Sequence, residues 1–292
     1  MQEPTIERDA VIRKHRRLPA PGEVLVKKGE EVKEDTVIAR GHVRNPEITE
    51  LRVAEKLGVD PFNLSGYMLK KTGDAVARDE VIALRRTFFG KSTKVCRSPL
   101  EGTIEALSTS YGTALVRGNP IPVEINAHIP GRVAEIFPRE GASIECTGTI
   151  ARGAFGIGGE TRGRIDAAVD APNETLTSAS IDATHKGKVV LGGAAATLDA
   201  LRKAVQVGVS AIVVGGIDEK DLTELLGYEF GFGVTGHEQV GYTLIITEGF
   251  GSNPMNEETF RLLKENVGEH ACVDGTTQIR TRMQRPEIII PL

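Results

Sequence analysis

His237 and Glu238 in the stretch GVTGHEQ, with Thr235 just before them, and Thr247 and Glu248 in TEGFG set an imidazole, two carboxylates and two hydroxyls beside glycine-rich turns. Such a set would do acid–base chemistry, because an imidazole titrates near neutrality and a neighbouring carboxylate can take or return its proton. His237, Glu238 and Glu248 are therefore the catalytic candidates, although a histidine in a loop serves as readily as a surface hydrogen-bonding group. No metal is expected there, since His237 and Glu238 lack a spaced third ligand. Cys96, Cys146 and Cys272 are far apart, odd in number and without a CxxC pair, which argues against a zinc site or a disulfide framework and for a reducing compartment.

The elements that must position these residues come from the periodicity after Lys188. KVVLGG, AIVVGG and YTLIITEGFG are apolar runs of strand type, and TLDALRKAVQVG, DEKDLTELLG and NEETFRLLKENVG carry a helical period between and after them. Alternation of this kind predicts an α/β module over residues 188–292 with a mostly parallel sheet. In such sheets ligands bind beyond the carboxyl ends of the strands, and all three strands here end in glycine. The expected ligand-binding residues are Gly192, Gly193, Gly215, Gly216, Thr247, Gly249, Gly251 and Ser252, with a small anion or nucleotide as the ligand. Thr197 and Asp218 stand where helix N-caps belong, and Ser252-Asn253 precede Pro254, a favoured first-turn residue. Glycine after a strand and a capping residue before a helix are also what short α/β loops require without any ligand.

The front of the chain repeats itself. GEVLVKKGEEVKEDTVIA from Gly22 matches GYMLKKTGDAVARDEVIA from Gly66, and Gly29, Val32, Asp35 and Ile38 recur at one constant offset as Gly73, Val76, Asp79 and Ile82. Each copy predicts two short strands around a tight turn, a β-hammerhead. Between them, residues 46–58 predict a helix with Pro46 at its beginning, Ile48, Leu51, Val53, Ala54 and Leu57 on its apolar face, and Gly58 at its end. Residues 121–165 predict a second small β unit, in which Gly131 opens a strand and Gly141 turns it. The glycine-dense AFGIGGETRGRI, 154–165, lacks the GK[ST] of a phosphate loop and predicts a tight strand connection with Glu160 and Arg162 paired. Residues 1–19 are expected to be an extension and 166–187 a polar linker or flap. Arg13 to Arg17 is expected to be a solvated basic face. Arg280, Arg282 and Arg285 in the tail are expected to help dock the halves.

The continuation SPLEGTIEAL after GDAVARDEVIA resembles the biotinyl and lipoyl carrier domains and their barrel-sandwich hybrid relatives. That resemblance implies a barrel-sandwich fold over residues 20–120. In those families the modified lysine sits on a hairpin tip eight residues before the proline of this turn, and counting back from Pro99 gives Lys91. The flanks Gly90 and Ser92 depart from the Met-Lys-Met and Asp-Lys-Ala patterns of the families. The whole resembles prokaryotic proteins joining this fold to an α/β module. The predicted class is thus α+β and multidomain: a barrel-sandwich hybrid domain, a small β-barrel-like unit and a C-terminal α/β module.

Composition bounds the function. At 292 residues, with 40% apolar and 26% charged residues and a net charge of −4, the chain has the make-up of an ordinary folded soluble protein and no bulk attraction for nucleic acid. No apolar run reaches a membrane span, and the N-terminal stretch lacks the apolar core of a signal peptide, so a cytoplasmic location is expected. The function expected is an accessory or scaffold protein with a small anionic ligand or a protein partner. The alternatives are a prosthetic-group carrier modified on Lys91 or an enzyme using His237 and Glu238. No motif specifies a cofactor or an oligomeric state.

Overall fold

The computed structural model describes residues 5–86, 92–228, 238, 240–277 and 285–292. It is mostly β-sheet with a few helices, distributed over several sheets. The chain divides into two compact units, a larger one of residues 1–17, 24–38 and 126–292 and a smaller one of 18–23 and 39–125.

The larger unit is built on a thirteen-stranded sheet. Its parallel part runs Thr243–Phe250, Ala211–Ile217, Val189–Leu191 and Glu160–Ala167, with Phe155–Ile157 antiparallel at its edge. Val, Ile and Leu fill the first three of these strands on both faces, as buried parallel strands require, whereas Glu160–Ala167 is mostly polar. Helices Leu198–Val207 and Glu219–Leu226 start where Thr197 and Asp218 cap them, through the amides of Ala200 and Lys220. The third helix, Glu257–Glu265, is capped by Asn256, three residues later than Ser252-Asn253 would place it. Beyond Glu160–Ala167 the sheet turns antiparallel through His270–Asp274, Glu287–Pro291 and Gly141–Arg152. Thr5–Arg17 and Gly131–Phe137 both pair with Gly141–Arg152.

Several expectations are corrected here. The extension expected over residues 1–19 is, over Thr5–Arg17, a strand registered along the whole of Gly141–Arg152. The 166–187 segment is not a flap: Thr175–Leu176 pairs with Ala195–Ala196, and Leu176 and Ile181 are fully buried. In the smaller unit, Ile48–Leu51 of the expected helix is a strand on Thr113–Gly118, and only Val53–Leu57 is helical, ending at left-handed Gly58. Partners distant in sequence supplied backbone hydrogen bonds that local propensity does not foresee.

The duplicated hairpins form the same local structure. Leu25 and Leu69 donate to Ile38 and Ile82, both at 2.8 Å, and Gly29 and Gly73 both turn with positive φ. Val32 pairs with Gly131, whereas Val76 pairs with Gly102. The first copy thus belongs to the larger unit and the second to the smaller, rather than both to one body of residues 20–120. Each hairpin is completed by its own later glycine-led strand, which separates the copies.

Candidate functional site

The glycine-ended strand tips come together, and crossing backbone packs closely against them. A Cβ on Gly216 would lie 2.0 Å from the Gly251 carbonyl oxygen, one on Gly215 2.1 Å from that of Asn253, and one on Gly193 2.3 Å from that of Glu174. A Cβ on Gly192 would meet Val214 at 2.7 Å. These glycines admit crossing backbone, and Gly249 and Gly251 turn that backbone with positive φ. Ser252 is exposed in the same turn. Thr247 is buried and donates to the Glu248 carboxylate at 3.0 Å, which accepts the Asn256 amide at 2.8 Å. Glu248 therefore ties the strand end to the start of the last helix. Glu238 is half-buried. Thr235, His237, Lys91, Arg280 and Arg282 lie outside the described residues, and Arg285 donates to the Gly153 carbonyl at 2.9 Å.

A polar cavity of about 340 Å³ opens elsewhere in the larger unit, lined by Glu34, Asn126, His128, Glu160, Thr161 and Arg162. Three segments build it. The first hairpin brings Glu34, whose carbonyl accepts the His128 amide at 2.9 Å, while Ala127 donates to Thr36 at 2.9 Å. The chain entering Gly131–Phe137 brings Asn126 and His128. Gly158 and Gly159, both with positive φ, turn the chain so that Glu160 to Arg162 start their strand at the cavity.

His128 is held at a φ of 69°, in the left-handed region that non-glycine residues avoid. Its side chain is only 6% exposed. Its Nε2 has no hydrogen-bond partner among the described residues, and its Nδ1 lies 3.8 Å from a Glu160 carboxylate oxygen. Burial is the main force lowering the imidazole pKa to about 4; Lys14 and Arg16 push the same way, and Glu160 and Asp274 oppose them. The ring is neutral at neutral pH, with one nitrogen a donor and the other an acceptor.

The strand Thr5–Arg17 supplies the charges behind the cavity. Alternation turns Ile12, Lys14 and Arg16 inward and Arg13, His15 and Arg17 outward, so the basic cluster is only half a solvated face. Arg16 grips Glu160 with both terminal nitrogens, Nη2 at 2.7 Å from Oε2, and its Nε donates to the Asn126 carbonyl at 2.9 Å. Glu160 is thus paired with Arg16, not with Arg162. Lys14 pairs with Glu287 and lies 3.4 Å from Asp274. Burial alone would lower the Lys14 pKa, but Glu287 and Asp274 outweigh it and raise it. Burial likewise favours protonating Asp274, yet Lys14 and the Thr276 hydrogen bonds hold its pKa down.

The arrangement suits binding better than nucleophilic attack. Cys272, whose thiol feels Glu34, Arg162 and Glu160, is fully buried and its pKa is pushed up to about 12, so it stays a thiol. No cluster of three metal-ligating side chains occurs among the described residues. No helix among them is long and apolar enough to cross a membrane.

Sequence reasoning passed over Glu34, Asn126, His128 and Thr161, and assigned Glu160 and Arg162 to each other. A signal for His128 exists: Ala127 to Gly131 hold the place in the first copy that Ser98 to Gly102 hold in the second, since Ala127 and Ser98 donate to Thr36 and Glu80, both at 2.9 Å. His128 thus stands where the other copy has Pro99. Comparison with family models, curated proteins and solved structures finds no match.

Proposed function

We propose that this chain is a binding protein of the accessory or scaffold type, whose larger unit holds a small polar ligand in the cavity at His128. The observation that carries this reading is His128 itself. A left-handed backbone costs a residue with a side chain about 1–2 kcal/mol, and a buried polar atom without a partner costs a further 1–3 kcal/mol or so. Strain of this kind persists where the surroundings enforce it for a use, and a ligand atom at the imidazole is such a use. Packing at the strand tips supports the same choice, because the amides of Gly215, Gly216 and Gly251 already donate to the carbonyls of Gly193, Ala194 and Ile217 and are not free for an anion.

In this reading the smaller unit is a barrel-sandwich hybrid scaffold, and the parallel strands with their helices are an α/β module that serves as the frame of the cavity. Support for the scaffold is the presence of GDAVARDEVIA and SPLEGTIEAL together in that unit.

The test is thermal stabilisation of the full chain by carboxylates, amines, free amino acids, sugars and nucleotides, with His128→Asn as the comparison, since asparagine tolerates the left-handed backbone. A ligand at about a hundred times its Kd stabilises by roughly 2.7 kcal/mol, a shift of several degrees. At least one class is expected to raise Tm in the wild type and not in H128N. A wild type that responds to none of them loses the binding function.

A further inference from the structure

Resting on the reading of the cavity as a ligand site, we infer that its ligand is a small zwitterion, an ammonium and a carboxylate on neighbouring atoms, of the size of a free amino acid. Two of the lining charges are left over once the internal pairs are made. Arg16 satisfies Glu160 on both oxygens, and Glu287 and Asp274 satisfy Lys14. Glu34 and Arg162 remain, and neither side chain makes a hydrogen bond or an ion pair with another described residue. Nor do they pair with each other, although both act on the Cys272 thiol, Glu34 disfavouring its ionisation and Arg162 favouring it.

One wall of charge would select a singly charged ligand; this cavity carries both signs unpaired. A lone carboxylate gains Arg162 but meets Glu34, and a lone amine gains Glu34 but meets Arg162. A zwitterion gains both, the carboxylate through the guanidinium fork and the ammonium through the carboxylate. Glu34 and Arg162 line the same cavity without pairing to each other, so both charges are open to one ligand. His128, neutral and buried, with Thr161 and Asn126 beside it, presents uncharged polar groups to the rest of the ligand. The volume of about 340 Å³ is at the small end of ligand sites, right for one metabolite and too small for a dinucleotide.

Calorimetric titration of the full chain with the standard L-amino acids, acetate, methylammonium and glycerol tests this, followed by the N-acetyl and methyl ester forms of the best binder. A free amino acid is expected to bind, and each masked form to bind about tenfold or more weakly. Glu34→Gln should erase the preference over the N-acetyl form, Arg162→Gln the preference over the ester, and H128N should weaken every form. If a singly charged or neutral probe binds as tightly as any amino acid and H128N abolishes it, the zwitterion is overturned while the cavity keeps its function. If no probe binds, the zwitterion is overturned and the cavity is decided by the sugars and nucleotides of the thermal test; if binding is indifferent to all three substitutions, both readings fail together.

Discussion

His128 stays neutral while it is folded, and this gives it a pH signature. Its folded pKa of about 4 lies below the ordinary 6.5, mainly because burial disfavours the imidazolium. The unfolded chain therefore binds the extra proton first as pH falls, so the stability contributed by keeping the ring neutral is whole above 6.5 and is lost progressively toward 4. The loss is on the order of 3 kcal/mol. Chemical denaturation at a series of pH values should show this slope in the wild type and a flatter one in H128N; parallel curves would mean that the imidazole is not desolvated. Lys14 offers a second test at this scale. Replacing it by methionine leaves Asp274 buried without its cation and Glu287 with only Arg152, 4.0 Å away, and a loss of about 3–5 kcal/mol in urea titrations is expected. A variant as stable as wild type would show that the two carboxylates are hydrated.

Among the elements, the strand tips depend on backbone crossing at van der Waals contact. Gly216→Ala puts a methyl 2.0 Å from the Gly251 carbonyl oxygen, and neither strand can retreat without breaking its ladder, so a loss of about 3 kcal/mol or more or failure to fold is expected. Gly66→Ala, where a Cβ meets nothing within 4 Å, should stay within about 0.5 kcal/mol of wild type. Equal Tm values for both variants would leave the strand tips open and return them as a ligand rim. The helix starts at Thr197 and Asp218 were legible because a cap acts within one turn. The strand Ile48–Leu51 was not, because its apolar residues fit a helix face as well, and its hydrogen bonds come from Thr113–Gly118.

Across the whole molecule, the larger unit is assembled from three separated stretches of chain. Its first strand, Thr5–Arg17, occupies one edge of Gly141–Arg152 and brings Lys14 and Arg16 to the cavity. A fragment of residues 126–292 lacks that strand and the first hairpin and is expected to be insoluble, with an unpaired strand edge. Replacing 39–125 by a short glycine-serine linker should keep a cooperative unfolding transition and the response of the cavity, because the Thr36 to Ala127 hydrogen bond already brings the two ends together. Soluble, folded 126–292, or an unfolded linker variant, would show that the unit is drawn wrongly.

The residue string by itself determined the turns, the duplication and the helix caps at Thr197 and Asp218, all of which depend on neighbours a few positions apart: Gly29 and Gly73 turn in any context that needs positive φ. Which later strand completes each hairpin, and hence which unit holds it, was decided only in three dimensions, since Gly131 and Gly102 offer the same backbone to either copy. Tertiary structure also decided the cavity. Glu34, His128, Glu160 and Arg162 share no spacing, and their chemistry depends on burial and on the charges of Lys14 and Arg16 that pairing of the first strand brings beside them.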